Sequence, residues 1–177
     1  MRNLRILSFF VFLAIFSLTF ALASEVQLTE DEVTEIIEEF DEITEGIDAV
    51  GIFVHNVSIA LPMFIPGFGI AWGLFAAFST GIAFSAMKST IPLLNQIPSL
   101  SILFMSPFGL MEIAAYSIAM SRSYILIHKI IKKMPIRPDI RVICLEVAIL
   151  VALLLAGGFL EYFLIENMSG VNQSITD

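Results

Sequence analysis

Five apolar stretches, at residues 6–23, 49–65, 70–87, 99–128 and 142–165, take up most of this chain and decide what solvent it can fold in. Of its 177 residues 58% are hydrophobic and 15% charged, with a mean hydropathy of +0.91, more apolar surface than a soluble chain of this size can hide. Lipid cannot satisfy backbone N–H and C=O groups, so a spanning segment must close its hydrogen bonds as a helix or around a barrel. Apolar stretches of this length suit the helical solution, which needs roughly 20 residues to cross the hydrocarbon core. The expected fold is all-α: a polytopic transmembrane bundle of four or five spans with broken helices, four of them in residues 49–166 and a fifth if the first segment at 1–23 is retained, with an acidic amphipathic extracytoplasmic helix at 24–48.

The costliest feature sits inside the fourth stretch, where Ser106-Pro107-Phe108-Gly109-Leu110-Met111-Glu112 combines helix breakers with an acid. A carboxylate near the middle of a bilayer costs at least ~2.5 kcal/mol, and broken backbone at that depth persists only against other protein or a wet cavity. Glu112 is therefore the first candidate for an intramembrane functional or structural site, with Pro107 and Gly109 as its frame. A second interruption, Ile65-Pro66-Gly67-Phe68-Gly69, is a turn signal. It is followed by a run rich in small residues, Gly81 among them, that lets helix backbones approach closely. Asn56 is a polar residue inside the second stretch, and Arg122 is a cation inside the fourth that can pair with an acid or snorkel to the interface.

At the start, Met1-Arg2-Asn3-Leu4-Arg5 is a positive n-region, an apolar core follows, and Ala21-Leu22-Ala23 before Ser24 has the A-x-A form of a signal-peptidase site. The segment is also long enough to stay as a first span, and the sequence leaves both outcomes open. Residues 25–48 then carry eleven acids and no Lys or Arg. Among them Val33, Ile36, Ile37, Phe40, Ile43 and Ile47 recur at helical steps, and Thr29 with Glu32 has the form of a capping box. The plain reading is a solvated amphipathic helix packed on the bundle, with a partner-docking surface or weak cation collection as the alternative.

Lys129, Lys132, Lys133, Arg137 and Arg141 crowd into the loop 129–141, and two more basic residues precede the first segment. The positive-inside bias puts both on the cytoplasmic side of a multi-pass cell-membrane protein. Alternating from there, the acidic segment, the loop 88–98 and the polar tail 167–177 are expected to be extracytoplasmic. Asn167-Met168-Ser169 and Asn172-Gln173-Ser174 in that tail have the form of glycosylation sequons.

Taken together, residues 56–123 resemble the stage II sporulation protein M family of integral membrane proteins. The resemblance is carried by Asn56, the Pro66-Gly67-Phe68-Gly69 turn, Gly81, and Pro107-Phe108-Gly109-Leu110-Met111-Glu112 with the Ala-rich helix after it. The family element reads Pro-His-Gly-x-x-Glu, and Phe108 replaces its His, which removes any role for an imidazole there. The acidic segment and paired sequons suggest an archaeal-type member. The resemblance implies a membrane scaffold or assembly component of an envelope complex, one that works with partner proteins rather than as an enzyme.

Other function classes find little support. One cysteine, Cys144, and two histidines, His55 and His128, do not assemble a zinc or iron–sulfur site by spacing, so no metal or cofactor is expected. Neither a nucleophile elbow nor a phosphate loop occurs, and the basic loop lacks the aromatic interleaving of a nucleic-acid surface. The expected partners are membrane lipids, other membrane or envelope proteins, and further copies of the chain. The competing class is a small permease or channel subunit, in which the helix after Gly109 presents its N-terminal end to a solute and Glu112 exchanges a proton or cation.

Overall fold

The computed structural model describes the backbone of residues 2–176 and the side chains of residues 3–167. The fold is all-α: α1 (Arg2–Ala23), α2 (Glu30–Thr44), α3 (Ala49–Ala60), α4 (Phe68–Thr90), α5 (Ser99–Met105), α6 (Pro107–Ile131) and α7 (Ile140–Thr176). Short 3-10 turns occupy Leu61–Phe64, Leu94–Gln96 and Arg137–Asp139. Helix α7 runs on through residues 167–176, where a polar tail was expected.

Helix starts follow the local chemistry. Thr29 caps α2 through the reciprocal box, its Oγ1 accepting from Glu32 N at 3.4 Å while Glu32 Oε2 accepts from Thr29 N at 2.8 Å. Asp48 caps α3 by accepting from Gly51 N at 2.7 Å. Between these helices the chain bends by 118°, at Gly46, whose φ of 66° a side chain would resist.

Helices α1, α4, α6 and α7 are each long and apolar enough to cross a membrane. Helix α3 with its 3-10 turn is shorter, about 26 Å from the rises of the two helix types, and runs between α7 and the late part of α6. Its start lies by Gly158 at the middle of α7, and its end, Ile65, meets Ser123 late in α6. Paired contacts orient the rest. Arg5 at the start of α1 reaches Ser121 and Ile118 on α6 and Glu146 near the start of α7. Ser24 at the other end of α1 meets Lys88 at the end of α4. Thus α1, α4 and α7 run one way and α3 and α6 the other.

This arrangement separates charge between the two ends of the bundle. One end gathers the start of α1, the Pro66-Gly67 turn and the basic loop between α6 and α7. The other gathers α2, the α4–α5 connection and the far part of α7.

The core holds Phe12, Phe16, Met63, Ile113, Met120, Leu150 and Leu154. Close approach depends on missing side chains, since a Cβ on Gly73 would lie 2.5 Å from Met120 Sδ. Large apolar residues such as Phe10, Leu18, Phe75, Phe78, Leu145 and Phe159 point outward, as a lipid-facing surface requires.

The fourth apolar stretch divides differently from the expectation of a break at mid-membrane. Pro107 begins α6, where its missing N–H costs nothing, and α6 alone has the length of a span. Helix α5 is a separate seven-residue piece packed beside it. Glu112 consequently lies in the second turn of α6, toward the acidic end of the bundle.

Candidate functional site

Two polar centres occupy the bundle, about 15 Å apart along α6 by the helical rise between Glu112 and Arg122. The first is built on α3 and α6. Asn56 Nδ2 donates to Glu112 Oε1 at 2.8 Å, and Tyr116 Oη, one turn on from Glu112, lies 3.5 Å from Asn56 Oδ1. Asn56 and Tyr116 are buried and Glu112 half-buried. Glu161, on α7, lies in the neighbourhood of Glu112. Among the described residues no Lys or Arg forms a salt bridge with either acid.

The second centre is ionic. Arg122 on α6 donates from Nε and Nη2 to the two carboxylate oxygens of Glu146 on α7, at 2.6 and 2.7 Å. Arg5 on α1 shares the same carboxylate at 2.7 Å from its Nε, and also donates to Ser121 Oγ and the Ile118 carbonyl. One buried acid therefore ties three helices together between two guanidinium groups, a planar bidentate geometry that lysine could not reproduce.

The remaining sequence candidates frame these centres. The Pro66-Gly67 turn is clamped to α6 by Ser123, which donates to the Ile65 carbonyl at 2.6 Å and accepts from Gly67 N at 3.0 Å. Gly67 holds φ at 79°, and a Cβ on Gly69 would fall 1.8 Å from the Met63 carbonyl oxygen, so this corner requires both glycines. Trp72 seals it by donating to the Ile59 carbonyl at 2.9 Å, a group at the end of α3. Gly81 faces α1, where a Cβ would lie 2.6 Å from the Phe20 carbonyl oxygen. Gly109 makes room for the Leu103 carbonyl at the α5–α6 corner.

Asn56 and Glu112 are thus brought together, whereas Arg122 belongs to the other centre. Glu146, Arg5, Tyr116 and Ser123 had no assigned role from sequence. Glu146 carried a usable signal, an acid inside an apolar stretch; Arg5 was masked by its resemblance to an n-region. His55 is exposed on α3, Cys144 is exposed on α7, and no metal-holding group of three His, Cys, Asp or Glu forms among the described residues. Asn167 is exposed and donates to the Phe163 carbonyl at 2.7 Å; the side chains of the second sequon, at Asn172, lie outside the described residues.

A bundle of long apolar helices with its polar groups turned inward defines a polytopic helical membrane protein. The family model described as Stage II sporulation protein M matches residues 6–164, and the chain belongs to that family. No curated protein and no solved structure matches it.

Proposed function

We propose that this protein is a scaffold or assembly component of a membrane or envelope complex, with its basic end cytoplasmic and α2 and the far end of α7 extracytoplasmic. The observation that carries the reading is the contrast between its closed interior and its open acidic end. Inside, Arg122, Arg5 and Glu146 are spent on one another. Outside, α2 has no fully buried residue, and its Phe40 and Ile43 stand exposed among acids. An acidic helix with free apolar side chains is suited to a basic, apolar-anchored partner. The basic loop supports the sidedness through the positive-inside bias. Neither centre contains a nucleophile paired with a base, so a catalytic role has no support here.

A second reading, a small permease or channel subunit, is favoured by one observation: among the described residues Glu112 has an amide donor but no ion-pair partner, with Glu161 in its neighbourhood. Acids held in a bundle in this way mark proton and ion paths in membrane proteins.

Extraction in mild detergent, with mass spectrometry of co-purifying chains and the native mass of the assembly, separates the two. Foreign chains in fixed stoichiometry, lost on replacing Phe40 and Ile43 with Ser, are expected of the scaffold. A homo-oligomer without partners, whose proton or cation flux in liposomes disappears in Glu112→Gln, would replace it with the second reading.

A further inference from the structure

The Ala21-Leu22-Ala23-Ser24 junction has the sequence of a processing site, yet the two residues that flank its bond are buried, while Leu22 turns outward at 66% exposure. Ala23 is 2% exposed and Ser24 is 0% exposed. Its backbone is helical and then turned, with Ser24 N donating to the Phe20 carbonyl at 2.9 Å and Val26 N to the Ala23 carbonyl at 3.1 Å. Helix α4 grips both sides of the bond. Lys88 Nζ donates to the Ser24 carbonyl at 3.0 Å, Ser85 Oγ donates to the Val26 carbonyl at 2.6 Å, and Gly81 admits Ala23 and the Phe20 carbonyl where a Cβ would stand.

We propose that the bond between Ala23 and Ser24 is not cut, and that α1 is a permanent span whose end forms the seat of α4. A protease acting at an A-x-A motif needs its substrate extended and accessible, and a closed junction is cut only as often as it opens. The segment also lacks any glycine or proline that would end the helix ahead of the motif. Loss of α1 would remove Phe12, Phe16 and Phe20 from the interior and take one of two guanidinium partners from Glu146. The helix thus supplies three of the buried aromatic side chains of the interior.

Intact-mass measurement and N-terminal sequencing of C-terminally tagged protein, purified from membranes of cells with active signal peptidase, test this directly. The expected product retains α1 ahead of Ser24; a product beginning at Ser24 would overturn the proposal. In Gly81→Leu, which forces α4 off the junction, a fraction beginning at Ser24 is expected, and an unchanged N-terminus there would refute protection by α4.

Discussion

Arg122 and Glu146 meet in a bidentate pair across the α6–α7 interface, and Arg5 of α1 closes on the same carboxylate. Breaking a buried pair from one side leaves an uncompensated charge and typically costs about 3–5 kcal/mol. Glu146→Gln is therefore expected to lower the melting temperature in detergent sharply, since two cations lose their anion. Arg122→Gln should cost less because Arg5 still holds Glu146. The double variant should cost less than the sum of the two, and additive losses would show that the pair is not coupled.

The glycines separate into those that backbone requires and those that it does not. A Cβ on Gly69 would lie 1.8 Å from a backbone oxygen, whereas one on Gly157 meets nothing closer than 3.7 Å. Alanine in a helix interior is worth up to about 1 kcal/mol over glycine where space allows. Gly157→Ala should be neutral or stabilising, and Gly69→Ala should collapse yield and thermal stability. Equal behaviour of the two variants would contradict the close packing at the Pro66-Gly67 corner.

Lys133 ends α6 with φ at 53°, and Met134 N donates to the Lys129 carbonyl at 2.9 Å. That is the position glycine usually takes in such a cap. A side chain there costs on the order of 1 kcal/mol, partly offset because glycine loses more entropy on folding. Lys133→Gly is expected to raise stability by about 0.5 kcal/mol, read as a small upward shift in melting temperature. A drop would mean that the Lys133 ammonium makes a compensating contact.

At the acidic end, Glu25 accepts from Lys88 at 2.7 Å and from Ser99 at 3.1 Å. The Lys88 ammonium first, then the Ser99 hydroxyl, holds the Glu25 carboxyl below its ordinary value of 4.5. A depressed carboxyl stabilises the fold fully above its unfolded value and loses that contribution as pH falls through the folded one. The gap in melting temperature between the protein and Glu25→Gln should therefore be present at neutral pH and close on acidification below 4.5. With Glu25 largely exposed, the gap corresponds to at most about 1 kcal/mol.

Much of this was legible in the chain. Asn56 and Glu112 stood out because polar groups inside apolar stretches must find partners, and they found each other. The Pro66-Gly67 corner was legible because proline and glycine restrict backbone locally. Glu146 as the partner of Arg122 was not legible, since which of several acids meets an arginine is a matter of helix order and rotation. Nor was the place of the α5–α6 break: proline marks a helix boundary, but only packing decides whether the boundary divides a span or begins one.

The sequence by itself determined the solvent, the helical class and the segregation of charge, because these follow from hydropathy and from backbone hydrogen bonding in lipid. It also determined the corners, through residues whose allowed dihedral angles are unusual. Only the tertiary structure decided that α1 is woven into the bundle, that α3 crosses beside α7, and that Glu112 and Arg122 serve separate centres. Those outcomes depend on contacts between residues far apart in the chain, and hydropathy carries no record of which face of one helix will meet which face of another.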